Sequence, residues 1–326
     1  MSSQRFIDAK ELNNLLNEKK SKNLRILDCT YQVSSKADAE GYASKYLDNP
    51  EAFLKNDTPQ YQTFAKSHIP TAQHFNLDFA MAPGEFERFT FMEPEKFQRY
   101  VQALGVNNGD QIVLYSRGPM GGMLFASRAF WIFKCYGHDN LSILNGGFEA
   151  WTKAGYETES FTDSSPATTP STGNWNAEYS LYDHTISFYD LTTKDKQGKD
   201  VFEKSADVNI FDARPSPQFN NEADSGFDKA KVKGSHISGN KNLPCNEFVD
   251  ENGLILSEDK IKEKLDSSGF DISKPTVTLC GLGIQASMLA TIIDSIYPHA
   301  ELKVYNGSLK EMELRAPERI NGGIKK

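Results

Sequence analysis

Four landmarks recur in the same order in the two halves of this chain, and a chain written that way folds as two copies of one unit. The first is a short apolar strand ending in aspartate: RILD ends at Asp28, and NIFDAR carries Asp212 and Arg214. The second is SHIPTAQHFNL from Ser67, answered by SHISGNKNLP from Ser235. Third comes an apolar run, QIVLYS from Gln111 to Ser116 and TVTLC from Thr276 to Cys280, each followed by a glycine-containing loop and an apolar helix. Last, ILNGGFEAW with Asn145 and Gly146 matches VYNGSLKEM with Asn306 and Gly307. The offset falls along the chain, and an internal duplication explains the series.

Within each half, strands alternate with helical stretches such as EKFQRYVQAL and SMLATIIDSI. That alternation implies parallel strands joined by crossover helices, so the expected fold is α/β, two tandem domains each with a parallel sheet flanked by helices. A length of 326 residues agrees with two domains. From Ser160 to Gly173, ten of fourteen residues are Ser, Thr or Pro, which cannot form a buried periodic face. The expected division is therefore 1–160, a linker at 161–178, and 179–326.

Composition removes several classes of function. Hydrophobic residues at 38% and charged residues at 25% describe a chain with a core to bury. The formal net charge of −8 argues against nucleic acid or an anionic membrane as partner, since phosphate binding needs concentrated Lys and Arg. Cys29, Cys135, Cys245 and Cys280 are scattered, fitting neither a disulfide framework nor a zinc knuckle. No metal is expected, and reducing, cytoplasmic conditions are the simpler setting. The N-terminal MSSQRFIDAKELNNLL lacks the marks of a signal peptide or presequence, although a mitochondrial location stays open.

Chemistry concentrates in TVTLC-GLGIQA-SMLATIIDSI, where Cys280 closes an apolar strand just before a tight loop and a helix. Parallel sheets place ligand sites at that end of their strands. Gly281 and Gly283 permit backbone conformations closed to other residues, so amide N–H groups from Gly281, Leu282, Gly283, Ile284 and Gln285 are expected to converge near the sulfur. A helix starting near Ala286 adds its positive end, and both effects favour thiolate over thiol. An isolated cysteine is more often a small packed hydrophobe. That reading is kept for Cys135 in the apolar helix FWIFKCYG, for Cys29, which follows a strand without a glycine loop, and for Cys245, which follows a proline in a connector.

A cysteine phosphatase would need an arginine at the end of this loop to clamp phosphate oxygens, but position 286 is Ala. The first-half loop, SRGPMGGMLFAS, has Ser116 in place of cysteine, without a G-x-S-x-G elbow or an evident His–acid partner. It reads as an inactive copy.

Taken together, the SHIP-type turns, the DAR segment, the CGLGIQA loop and the NG strand ends resemble the rhodanese and 3-mercaptopyruvate sulfurtransferase family over most of the chain. The resemblance implies an inactive N-terminal domain and a C-terminal domain whose Cys280 carries a persulfide. It implies transfer of sulfur from 3-mercaptopyruvate or thiosulfate to cyanide or a thiol, such as a small thiol or a thioredoxin-like protein, with no cofactor. By the same resemblance Arg214 binds the donor carboxylate through two charge-assisted bonds, and His68 either assists proton transfer to the leaving enolate or holds a turn. Thiosulfate-preferring relatives carry basic residues after the cysteine, whereas this loop runs Gly281-Leu282, which favours mercaptopyruvate. The chain departs from the family at Leu282, where a hydroxyl residue is usual, and at Gln285, where Thr is common. Leu282, together with the lack of an evident second family arginine in PSPQFNNEADSGF after DAR, motivates an alternative: a catalytically degenerate member that binds a partner or senses oxidants.

Overall fold

The computed structural model describes residues 4–18, 21–33, 58–161 and 170–324. The chain divides into two compact units: Met1–Pro83, Thr90–Ser180 and Glu251–Leu254 form the first, and Gly84–Phe89, Leu181–Asp250 and Ile255–Lys326 the second. The units are thus not the two contiguous segments expected from sequence, because two short segments cluster with the unit remote from them in the chain.

In the first unit, β1 (Phe6–Ile7), β2 (Leu24–Asp28), β3 (Gln73–His74), β4 (Gln111–Tyr115) and β5 (Leu141–Leu144) form one sheet in the order β1-β5-β4-β2-β3, every pair parallel. The second unit repeats the topology. There β6 (Thr185–Ile186), β7 (Asn209–Asp212), β8 (Lys241–Asn242), β9 (Thr276–Leu279) and β10 (Leu302–Tyr305) are ordered β6-β10-β9-β7-β8, again all parallel. Strands covered by helices on both faces are buried along their length: β4 is buried at every residue after Gln111, and β9 is buried throughout, its two threonines included.

Helices cover these sheets. Among them, α1 (Leu124–Cys135) follows β4, and α2 (Ile284–Ile296) follows β9; both are buried on nearly every side. The core of the first unit gathers Ile26, Val113, Leu144 and Trp151, and that of the second gathers Ile210, Val277, Leu279, Tyr305 and Met312. Each such side chain contributes about 1.5–3 kcal/mol by leaving water.

The described part of the expected linker is not free of contacts. Residues 162–169 lie outside the described residues. Beyond them the chain packs on the first unit: the Gly173 N–H donates to Gln102 O at 2.8 Å, and buried Trp175 donates from Nε1 to His138 Nδ1 at 3.1 Å. Composition could not reveal this, because a single tryptophan anchors an otherwise polar stretch.

Candidate active site

In the second unit the chain leaves β7 toward β8 on one side and leaves β9 toward β10 on the other. The gap between β7 and β9 at their carboxyl ends is therefore the topological switch point, where open parallel sheets hold ligands. Cys280 follows β9 and Ala213-Arg214 follow β7; the two strand ends are tied by Ala213 N–H donating to Leu279 O at 2.8 Å.

The loop after Cys280 is short. Gly283 is left-handed at φ 81°, and α2 begins at Ile284, two residues earlier than expected. The Gly283 N–H donates to Cys280 Sγ at 3.1 Å. The first intrahelical bond at this end runs from Ser287 N–H to Gly283 O, so the amides of Ile284, Gln285 and Ala286 belong to the helix turn that has no backbone acceptor of its own. Gly281 and Leu282 are half-buried, and Gly281 O accepts from Lys310 N–H at 3.1 Å. The result is a sulfur resting on one amide at the positive end of a buried helix, a setting for holding negative charge on sulfur.

The remaining cysteines stay protonated. Burial pushes the Cys29, Cys135 and Cys245 thiols up, and the neighbouring Cys280 charge adds to the effect at Cys245. All four cysteines are free and buried.

Arg214 is not the open clamp that the resemblance implies. Its guanidinium makes its paired bonds to Asp212, from Nε at 3.0 and 3.1 Å and from Nη2 at 2.6 Å, and Nη2 also donates to Ser235 O at 2.7 Å. Only Nη1 has no hydrogen-bond partner among the described residues. The first unit explains why. There Arg117, from a different place in the sequence, donates to Asp28 Oδ2 and to Ser67 O, the equivalents of Asp212 and Ser235. A guanidinium that fastens the strand-end aspartate to the Ser-His-Ile turn is thus an architectural feature of both units, including the one whose loop carries Ser116 in place of a cysteine.

His68 is likewise a turn residue rather than a reachable proton carrier. It is fully buried in the first unit, its Nδ1 is 3.0 Å from Phe64 O, and its ring lies between those of Phe64 and Phe161 at 4.4 and 4.5 Å. Burial holds His68, His74 and His138 below the ordinary histidine value of 6.5. The folded protein therefore binds fewer protons at these sites than the unfolded chain, and the stability they carry is complete above about pH 6.5 and lost as pH falls below it. Urea midpoints at pH 7.5 and 5.5 check this: a fall at the lower pH, lessened by His74→Gln, is the expected result.

The first-unit loop shows what an unarmed copy looks like. Ser116 donates from Oγ to Gly122 O at 2.6 Å and from its N–H to the same carbonyl at 3.1 Å, closing the loop on itself. Gly118, Met120, Gly121 and Gly122 all have positive φ, and α1 starts only at Leu124. Backbone of Gly253 covers the loop, so that a Cβ on Gly121 would lie 1.7 Å from Gly253 O. Gly121→Ala is accordingly expected to cost about 2–3 kcal/mol through backbone strain and overpacking, measured by urea denaturation.

Comparison with known proteins identifies the family of the chain. The Rhodanese-like domain family matches residues 8–154. The chain is 37% identical, over 99% of its own length and 98% of the other, to the Caenorhabditis elegans protein named "Putative thiosulfate sulfurtransferase mpst-1". It is 30% identical to thiosulfate sulfurtransferase of Gallus gallus, over 78% of this chain and 82% of that protein. The crystal structure of the 3-mercaptopyruvate sulfotransferase SseA from Escherichia coli covers 94% of this chain and 99% of its own at a TM-score of 0.69, with 23% identity, a likeness of fold. With the duplicated parallel sheets and the cysteine loop at the second switch point, the chain belongs to the rhodanese family of sulfurtransferases.

Proposed function

We propose that this sulfurtransferase takes its sulfur preferentially from 3-mercaptopyruvate, with thiosulfate a poorer donor, and carries it as a persulfide on Cys280. The observation that supports this reading above others is the Cys280 sulfur accepting the Gly283 N–H at the start of α2. The Cys280 thiolate attacks the donor sulfur; the new S–S bond forms as the donor C–S bond breaks, and the electron pair leaves on carbon as the pyruvate enolate, which takes a proton from water. A thiolate acceptor then attacks the outer sulfur, giving the acceptor persulfide and returning the Cys280 thiolate. Each half is a displacement at sulfur, so neither a metal nor an organic cofactor has a part in it.

The loop amides of Gly281, Leu282, Gly283, Ile284 and Gln285 line the place where the outer sulfur sits, and Gln285 supplies a side-chain donor that Leu282 lacks. Arg214 offers the donor carboxylate a single N–H group from Nη1. No cationic side chain follows Cys280 in the loop, which disfavours a dianion such as thiosulfate. A small thiol or a thioredoxin-like protein is the acceptor, and four free thiols support a reducing compartment, read here as cytoplasmic. No helix among the described residues is long and apolar enough to cross a membrane.

The test is a comparison of kcat/KM for pyruvate release from 3-mercaptopyruvate with that for sulfite release from thiosulfate. A ratio above about tenfold in favour of mercaptopyruvate is expected; a reversed ratio contradicts the donor assignment, and turnover of neither favours the oxidant-sensing or binding alternative.

A further inference from the structure

We propose that Ser308 is a positioning residue that holds the nucleophile loop open, a role that rests on Cys280 being the sulfur carrier. The residue is conspicuous on backbone grounds. It is buried, and it sits at φ 51°, a left-handed conformation in which a Cβ crowds the following carbonyl. The corresponding residue of the first unit is Gly147, at φ 57°, for which the conformation carries no such strain.

What the serine does there is visible in its bonds. Its Oγ accepts the Cys280 N–H at 3.1 Å and donates to Tyr305 O at 2.7 Å. In the first unit the equivalent N–H, that of Ser116, has no such hydroxyl to meet and donates instead to Gly122 O at 3.1 Å, within its own loop. That loop has closed down over the glycine: a Cβ on Gly147 would lie 2.4 Å from Ser116 O and 2.9 Å from Gly121 O. The otherwise equivalent backbone bonds are kept in both units, Phe148 N–H to Ser116 O at 3.1 Å and Leu309 N–H to Cys280 O at 3.0 Å.

The two copies therefore differ at one place in two linked ways. Where residue 147 is glycine, the loop collapses onto it and satisfies the strand-end amide from within. Where residue 308 is serine, the side chain fills that space, its hydroxyl takes the amide, and the loop is left free to turn its Gly283 N–H toward the sulfur. A buried N–H left without a partner would seek one, and the first unit shows the carbonyl it would find. Ser308 touches neither the sulfur nor a donor; it acts through the backbone of Cys280.

The experiment compares Ser308→Gly and Ser308→Ala with wild type in three readouts: thermal midpoint, kcat and KM with 3-mercaptopyruvate, and the rate at which iodoacetamide alkylates Cys280, followed by mass spectrometry. Ser308→Gly suits the backbone best, so its midpoint stays within about 5 °C of wild type. Its kcat and its Cys280 alkylation rate nevertheless fall about tenfold, the effect of one hydrogen bond of ordinary net strength, with KM changed little. Ser308→Ala keeps the bulk but not the hydroxyl and falls between the two. A merely structural serine predicts the opposite order, because glycine removes the strain; a Ser308→Gly protein with wild-type kcat and alkylation rate overturns the proposal. Failure of the wild type to form any persulfide strikes the sulfur-carrier assignment instead, and the alkylation rates read the loop independently of it.

Discussion

Cys280→Ser is expected to lower sulfur transfer by at least about 1,000-fold while leaving the protein folded, because the covalent carrier is lost and the rest of the site has no second nucleophile to replace it. A serine hydroxyl at neutral pH is neither ionised nor able to form a persulfide. The substitution is nearly isosteric, and residue 280 lies at the end of β9, where Ser116 shows that the fold accepts serine in the equivalent place. The other cysteines offer no bypass, since burial keeps Cys29, Cys135 and Cys245 protonated. Steady-state pyruvate release together with circular dichroism melting checks both halves of the statement; a folded variant keeping a tenth of wild-type turnover refutes it.

The largest loss of stability is expected from Asp212→Ala. Both carboxylate oxygens of Asp212 bind the Arg214 guanidinium, and Asp212 Oδ1 also accepts the Arg214 backbone N–H at 3.0 Å. With Arg214 2% exposed, removal of the carboxylate strands a buried cation whose remaining contacts, Ser235 O and the Phe227 ring 5.6 Å away, carry no full charge. Breaking a buried pair on one side costs about 3–5 kcal/mol. Removing both partners, as in Asp212→Ala with Arg214→Met, recovers part of that loss because no uncompensated charge is left behind. Urea titrations of the two single variants and the double variant measure the coupling. A cost below about 1 kcal/mol for Asp212→Ala would mean that Arg214 swings out to solvent, and with it that the clamp is not architectural.

The duplication is the legible part of the fold, since apolar strands, a Ser-His-Ile turn and an Asn-Gly strand end each leave a local mark, and the two parallel sheets follow from them. Cys280 is legible for the same reason: a strand, two glycines and a helix lie side by side in sequence. What escapes is whatever depends on a partner distant in the chain. Arg214 reads as a donor clamp because nothing in DAR tells whether the neighbouring aspartate folds back on it. Arg117, which does the same work in the first unit, occupies another sequence position and so has no counterpart to align. His68 carries the family turn, and only its burial between Phe64 and Phe161 shows that the ring is enclosed. Ser308 stands beside the Asn306-Gly307 landmark, and its replacement by Gly147 in the other half is the one mark of its role that the sequence leaves.

The central claim is that sulfur rides on Cys280. Intact-mass spectrometry of wild type and Cys280→Ser after brief exposure to 3-mercaptopyruvate, with pyruvate assayed in the same samples, tests it most directly. The expected result is one added sulfur atom on the wild type alone, removable by a thiol and matched by released pyruvate. Equal sulfur uptake by both proteins, or pyruvate release without any adduct on the wild type, would contradict it.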